Sequence, residues 1–169
     1  SKRFCCLLSG FVRYCPKYAC MEPIIEENSL VRVTPISKPL KRGDILLIDQ
    51  GYRFVTHRLL KIGRNGEYYT SGDNGCFFDT CDCQYTVLGL ITSVKTENKW
   101  FEVNKPALLQ YWLAVIGYAY IKRSSAQNRR TKKKHSFGTF LWQARKALAR
   151  SSLKIYTKFA DADQNRKNN

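Results

Sequence analysis

Short apolar segments separated by turn-forming residues dominate the first hundred residues of the chain. Residues 30–34 alternate apolar and polar side chains, and residues 45–48 form a continuous apolar run of the length of a buried strand. Two stretches rich in glycine and asparagine, residues 63–66 and 72–75, have the composition of tight turns. About six strands are predicted, at residues 30–34, 45–48, 53–62, 67–70, 85–94 and 100–103. No β-α-β rhythm is present, so the pattern predicts a mainly β body.

The pattern changes after Pro106. Residues 107–121 are apolar except for Gln110 and are followed directly by Lys122 and Arg123. A bilayer crossing needs roughly 20 apolar residues, and this run is shorter. It is therefore predicted to be a helix that lies on a surface or packs in a core. Residues 124–136 are polar and basic, which is typical of a linker.

A second helix is predicted near the C-terminus, because apolar residues recur there at helical spacing. The apolar stripe consists of Phe137, Phe140, Leu141, Ala144, Leu148, Ile155 and Phe159. Its basic flank consists of Arg145, Lys146, Arg150, Lys154 and Lys158. The chain is accordingly divided into a β domain (residues 1–105), an apolar helix (106–121), and a basic linker with an amphipathic helix (122–169).

Positive charge is concentrated in that last part. The chain has 29 Lys and Arg against 13 Asp and Glu, a net charge of +16, and residues 122–160 contain 12 of the basic residues and no acid. No base-reading motif accompanies this charge, whereas aromatic residues are interspersed with the basic ones. The predicted partner is therefore an anionic membrane surface rather than nucleic acid, and deletion of residues 122–169 is expected to abolish binding. The alternative is that both helices simply pack on the β body.

Seven cysteines are present: Cys5, Cys6, Cys15, Cys20, Cys76, Cys81 and Cys83. An odd number cannot close entirely into intramolecular disulfides. The cluster formed by Cys76, Cys81 and Cys83 lacks the paired C-x2-C spacing of familiar zinc sites. We predict no metal and no other cofactor.

Four short pieces of sequence carry candidate chemistry, and they occur in a fixed order. They are Ala19-Cys20-Met21-Glu22-Pro23, Arg42-Gly43-Asp44, Thr56-His57-Arg58, and Ser71-Gly72-Asp73-Asn74 with Asp79 beyond. A cysteine and a histidine on a β scaffold can act as nucleophile and base, with an acid such as Asp73 or Asp79 orienting the imidazole. The only other histidine, His135, lies in the basic linker. From residue types alone, Cys20 and His57 could equally be ordinary structural residues.

The ordered set resembles the type I signal peptidases, and most closely their archaeal and endoplasmic-reticulum branch. The pattern there is S-G-S-M-E-P, then R-G-D, then V-H-R, then K-G-D-N-N followed by a second aspartate. The resemblance covers about residues 15–95. It implies a signal-peptidase-like and LexA-like coiled β-sheet body with a helical basic tail. It also implies an endopeptidase that cleaves an extended leader or signal peptide, usually after a small residue.

The resemblance assigns roles to individual residues. It implies that Cys20 is the nucleophile, His57 the general base and Asp79 the orienting acid. Asp73 and Asn74 would form a supporting turn, and Met21 and Pro23 would shape the loop that carries the nucleophile. Three departures from the pattern are Cys20 in place of serine, Ala19 in place of glycine, and Tyr18 in place of a serine that contributes to the oxyanion hole in bacterial members.

Two functional interpretations follow from these departures. A thiolate is more nucleophilic than a hydroxyl, and a neighbouring imidazolium lowers the pKa of a thiol, so a Cys-His-Asp peptidase is chemically sound. The alternative is a catalytically inactive relative that binds a peptide or a partner. The chain is predicted to be membrane-associated, with the catalytic body on the outer face if it is anchored and in the cytoplasm otherwise. Whether an anchor precedes Ser1 is left open.

Overall fold

One antiparallel sheet forms the body of the protein. The computed structural model describes residues 11–13, 20–26, 29–51, 53–75, 78–81, 85–96, 99–104, 107–127 and 136–167. Within them the strands are β1 (Phe11–Arg13), β2 (Leu30–Thr34), β3 (Ile45–Asp49), β4 (Phe54–Ile62), β5 (Tyr68–Ser71), β6 (Asp79–Cys81), β7 (Thr86–Thr96) and β8 (Lys99–Glu102). Two helices follow, α1 (Ala107–Gln127) and α2 (Ser136–Lys167).

The strand order in the sheet is β1-β2-β7-β3-β4-β5-β6, and β8 pairs with β7 outside this path. Each neighbouring pair is antiparallel. The prediction of a mainly β body is confirmed. All six predicted strands are present with ends shifted by at most two residues, and the unpredicted β1 and β6 have three residues each.

The continuous apolar run in β3 is explained by burial on both faces of the sheet. Successive side chains of a strand point to opposite faces. Ile45 and Leu47 belong to the main core cluster, whereas Leu46 and Ile48 belong to a second cluster that also contains Leu59. All four are at most 3% exposed. A strand covered on both faces reads as a continuous apolar run rather than an alternating one.

Both helices pack on the β body, which is the alternative that the sequence left open. Leu113, Ala114 and Ile121 of α1 are completely buried. In α2, Ala149 and Tyr156 belong to the main core cluster. Within the described residues, no helix is both long enough and apolar enough to span a membrane.

The orientation of α2 differs from the predicted one. Among the side chains of α2 that the structure describes, the buried ones are Arg145, Ala149, Ser152 and Tyr156, whereas Phe140 of the predicted apolar stripe is 60% exposed. Arg145, a member of the predicted basic flank, has no exposed surface at all. The face of α2 that packs on the body therefore combines the polar residues Arg145 and Ser152 with Ala149 and Tyr156, and it does not consist of the predicted stripe alone. Arg145 faces inward because it donates hydrogen bonds to the carbonyls of Gly72 and Gly75.

Several sequence predictions lie outside the described part of the chain. They concern Tyr18 and Ala19, most of the basic linker with His135, and five cysteines: Cys5, Cys6, Cys15, Cys76 and Cys83. The backbone of Asp79 and Cys81 is described as part of β6, but their side chains are not.

Candidate functional site

A tight turn after β5 and the loop that carries Cys20 lie in direct contact. In the turn, which comprises residues 72–75, the Gly75 amide donates to the Gly72 carbonyl over 2.9 Å. The Asn74 amide donates to the Cys20 carbonyl over 2.8 Å. A Cβ atom on Gly72 would lie 2.3 Å from the Cys20 carbonyl oxygen. Glycine at position 72 therefore permits the close approach, and the structure brings together two of the four predicted pieces.

The Cys20 loop, which comprises residues 20–25, is anchored in the main core. Met21, Ile24 and Ile25 are completely buried. The Met21 carbonyl accepts hydrogen bonds from the amides of Ile24 (3.0 Å) and Ile25 (3.1 Å), so the loop closes on itself. The peptide bond before Pro23 is cis. Cys20 itself is partly exposed, at the end of the loop nearest the 72–75 turn.

A buried ion pair joins the turn to β4. Arg58 donates from Nε to Oδ1 of Asp73 and from Nη2 to Oδ2, each over 2.7 Å, and both side chains are fully buried. Two hydrogen bonds of this kind fix the relative orientation of the guanidinium and the carboxylate as well as the distance between them. Burial alone would lower the pKa of Arg58, but the Asp73 carboxylate outweighs it and the pKa is raised. Arg58 is therefore a permanent cation that ties the 72–75 turn to the strand carrying His57.

Arg58, which belongs to the Thr56-His57-Arg58 piece, also reaches the remaining predicted piece, Arg42-Gly43-Asp44. Its Nη1 donates to the Gly43 carbonyl over 2.8 Å and to the Oε1 of Gln110 on α1. Gly43 has a φ of +102°, and a Cβ atom there would lie 2.7 Å from the backbone of Gln110. Glycine is required at this position because both the conformation and the space exclude a side chain.

Asp44 forms the link between that turn and β4. Its carbonyl accepts the Leu59 amide over 2.7 Å, and its Oδ2 accepts the Lys41 amide over the same distance. Burial raises the pKa of Asp44, and the hydrogen bond from Lys41 opposes this shift. Asp44 therefore acts as a structural carboxylate that closes the turn before β3.

His57 occupies the centre of β4 and is 8% exposed. It is paired with Leu46 of β3. Side chains alternate along a strand, so His57 points to the face opposite Arg58. Arg58 is paired with Ser71, which directly precedes the glycine in contact with Cys20. The Cys20 loop thus contacts the turn at the end of β5, and β5 is the strand next to β4, which carries His57.

Asp79 is placed by the register of β6. It pairs with Thr70 of β5, and Thr70 pairs with Leu59, the second residue after His57. The Asp79 backbone is therefore two strands away from the His57 segment. Its predicted role as the orienting acid stays a prediction, because its side chain is outside the described part of the structure.

Arg145 is a component of the site that the sequence interpretation missed. Its Nη2 donates to the Gly72 carbonyl over 2.8 Å and its Nη1 to the Gly75 carbonyl over 3.0 Å. Nη2 also lies 3.7 Å from Oδ1 of Asp73. The sequence did contain a signal, since Leu141, Arg145 and Leu148 are spaced as i, i+4 and i+7 and share one helix face. A cation within an apolar face needs a buried partner.

Two guanidinium groups therefore share one buried carboxylate. Burial lowers the pKa of Arg145, and the nearby Arg58 lowers it further, while Asp73 raises it. Removing charges from water is unfavourable unless they are paired and hydrogen-bonded. Here the carbonyls of residues 43, 72 and 75 provide the additional acceptors.

A cavity of about 570 Å³ is lined in part by the Arg42-Gly43-Asp44 turn. It lies between β3, β7 and the start of α1, and its mainly apolar lining includes Ile45, Ile91 and Leu108. The residues that line it do not include Cys20 or His57. This cavity is therefore separate from the candidate catalytic residues.

Comparisons of the chain with protein-family models, with curated proteins and with solved structures found no match. The interpretation of the site therefore depends on its own residues and their contacts.

Proposed function

We propose that the protein is a signal-peptidase-like endopeptidase that cleaves an extended leader or signal peptide with Cys20 as nucleophile. The observation that supports this proposal most is the contact of the Cys20 loop with the 72–75 turn, in which the Asn74 amide donates to the Cys20 carbonyl. The same turn is fixed to the His57-bearing strand through Arg58 and Asp73. Residues from separate parts of the sequence are thereby joined to the backbone of the loop that carries the partly exposed Cys20.

In the proposed reaction, His57 removes the proton from the Cys20 thiol, and the thiolate attacks the carbonyl carbon of the scissile peptide bond. The tetrahedral intermediate collapses to a thioester as the protonated imidazole gives its proton to the departing amine. His57 then deprotonates a water molecule, which attacks the thioester carbonyl; the C–S bond breaks, the new carboxylic acid product is released, and the protonated imidazole returns its proton to the Cys20 thiolate. Asp79 orients the imidazole throughout, as the acid of such triads does.

An inactive relative is the competing proposal. A sheet with exposed edges can hold an extended peptide by adding it as a further strand, without any chemistry. Such a binding protein would need the fold and the buried Arg58–Asp73 pair, but it would not need a reactive thiol. The reactivity of Cys20 therefore separates the two functions.

The decisive experiment is labelling of the folded protein with a limiting amount of a neutral thiol probe, followed by mass spectrometry of its peptides. We expect Cys20 to react faster near pH 7 than the other six cysteines, because a histidine partner stabilises the thiolate. His57→Ala should slow the labelling of Cys20 and leave that of Cys5 unchanged. Equal labelling of Cys20 and Cys5, unaffected by the histidine substitution, would eliminate the peptidase proposal.

We further propose that the protein associates with an anionic membrane surface. Three large apolar residues of α1 are exposed: Leu108 (69%), Tyr111 (43%) and Trp112 (49%). On α2, Arg150, Lys154 and Lys158 are exposed and recur every fourth residue, so they form one basic row. Aromatic and basic side chains of this kind are typical of helices that lie at a lipid headgroup boundary.

A further inference from the structure

The 72–75 turn is held at both ends by one side chain from α2. The Gly72 carbonyl accepts from Nη2 of Arg145, and the Gly75 carbonyl accepts from Nη1 of the same guanidinium. The residue between these glycines that faces the loop is Asn74, whose amide donates to the Cys20 carbonyl. Arg145 therefore contacts both ends of the segment that holds the backbone of Cys20.

The surroundings of Arg145 are shaped to hold it in this position. Its side chain is completely buried. Gly117 of α1 faces it so closely that a Cβ atom there would lie 2.9 Å from Cζ of Arg145. Further along α2, Tyr156 stacks on Phe101 of β8 with ring centroids 5.8 Å apart, which fixes the helix against the sheet. The position of the guanidinium is thus determined by two helices and a strand.

We propose that Arg145 is a positioning residue of the site, which fixes the 72–75 turn and through it the Cys20 loop. The planar guanidinium is suited to this role, because it can donate to two carbonyls at once from a rigid fork. A lysine ammonium at the same position retains the charge but lacks that geometry. The importance of Arg145 for catalysis depends on the proposed function of Cys20, whereas its effect on the turn does not.

The test compares Arg145→Gln and Arg145→Lys with Arg64→Gln, a control that removes the same side chain from an exposed position in the turn between β4 and β5. Native-state hydrogen exchange, measured by NMR, reports the opening of each amide separately. The informative amides are those of Asn74 and Gly75 in the turn. The reference is Leu59 of β4, whose amide donates to the Asp44 carbonyl at the turn before β3.

We expect Arg145→Gln to accelerate exchange at Asn74 and Gly75 by about tenfold or more, because a hydrogen bond to a charged group is lost at each end of the turn. Exchange at Leu59 should change much less. Arg145→Lys should give a smaller acceleration in the same two amides, and Arg64→Gln should give none. If Arg145→Gln prevents folding, exchange at Asn74 and Gly75 in Arg145→Lys is the test of the proposal. Unchanged exchange at Asn74 in Arg145→Lys and in any folded Arg145→Gln protein would overturn the proposal.

Labelling of Cys20 in the same variants separates this inference from the proposed function. If Arg145 positions a reactive thiol, the pH profile of Cys20 alkylation should shift in Arg145→Gln and be partly restored in Arg145→Lys. If exchange at Asn74 accelerates while Cys20 reacts like Cys5 in every protein, Arg145 positions the turn and the peptidase proposal fails. If neither the exchange nor the pH profile responds, Arg145 has no positioning role, whatever the function of Cys20.

Discussion

Asp73 accepts both hydrogen bonds of the Arg58 pair and lies within 4 Å of a second guanidinium, that of Arg145. All three side chains are buried. Replacement of the carboxylate would leave two buried guanidinium groups without the anion that they share. Removal of one partner of a buried ion pair typically costs about 3–5 kcal/mol. Asp73 is therefore expected to contribute to stability before it contributes to any chemistry.

Substitutions of Asp73 and Asp79 should therefore differ in their effect on stability. Asp73→Asn should lower the free energy of unfolding by about 3–5 kcal/mol and reduce activity with it. Asp79→Asn should reduce turnover and leave the melting temperature nearly unchanged, because its predicted role is to orient His57. Thermal unfolding and peptide cleavage, measured on the same preparations, test both statements. A stable but inactive Asp73→Asn protein beside an unstable Asp79→Asn protein would reverse the assignment.

At the scale of the secondary-structure elements, α2 is joined to the end of β8 through Tyr156. Its hydroxyl donates to the Val103 carbonyl over 3.3 Å. Burial raises the pKa of Tyr156 to about 12, a shift that Arg58 opposes and Asp73 supports. A tyrosine in an unfolded chain ionises near pH 10. Between about pH 10 and 12 the unfolded chain therefore loses a proton that the folded protein keeps.

The free energy of unfolding should consequently fall as the pH rises from about 10 to 12, by up to about 1.4 kcal/mol per pH unit for this one group. Tyr156→Phe should cost about 1 kcal/mol at pH 7 through the lost hydrogen bond. It should also remove the part of the alkaline decline that Tyr156 contributes, so the stability difference between the two proteins should narrow and then reverse as the pH approaches 12. Urea unfolding at several pH values measures this. Tyr111→Phe, at an exposed position, is the control, and parallel curves for wild type and Tyr156→Phe would contradict the prediction.

How well the sequence predicted each element depended on the strength of its periodic signal. The alternation in residues 30–34 and the apolar run in residues 45–48 gave strands at nearly the observed bounds. The β1 and β6 strands are three residues long, too short for any periodicity, and exist because a neighbouring strand offers a partner. The existence of α2 was predictable from its spacing. The partners of Arg145 were not predictable, because the carboxylate and the two carbonyls that it contacts are distant in sequence.

At the scale of the whole molecule, the sequence predicted which segments form the site but not the contacts between them. The order of the four sequence pieces predicted that the Cys20 loop, the turn around Asp73 and the strand with His57 belong together, and the first two are in contact. Gln110 is the one polar residue of the apolar run 107–121, but its hydrogen bond to Arg58 depends on the tertiary fold. Contacts between elements far apart in the chain leave no periodic trace in the sequence.

The burial of α2 also changes how membrane binding must be tested. Deletion of residues 122–169 would remove Ala149 and Tyr156 from the main core and Arg145 from the 72–75 turn. Loss of binding in such a protein could reflect unfolding rather than loss of a membrane-binding surface. Substitutions confined to the exposed row of α2 avoid this problem.

We expect the triple variant Arg150→Gln, Lys154→Gln, Lys158→Gln to lose most of its binding to anionic liposomes at low salt, since each basic residue near the surface contributes about 1 kcal/mol. Wild type should bind anionic liposomes, should hardly bind neutral ones, and should be released by salt. The control is Lys38→Gln, Arg64→Gln, Lys99→Gln, which removes the same charge from exposed positions of the β body. Co-sedimentation of both triples decides between a specific helix face and general charge, and an equal loss in the two would refute the proposal.

The distance in sequence between Gly72 and Arg145 has a consequence for how the protein is made. The two residues are 73 positions apart, and the ribosome adds roughly 5–20 residues per second from the N-terminus onward. For about 4 to 15 seconds, therefore, the nascent chain contains Cys20, His57 and the Arg58–Asp73 pair but not yet the arginine that braces their turn. The Cys20 loop would therefore reach its final position late in translation, after the strands of the sheet have been synthesised.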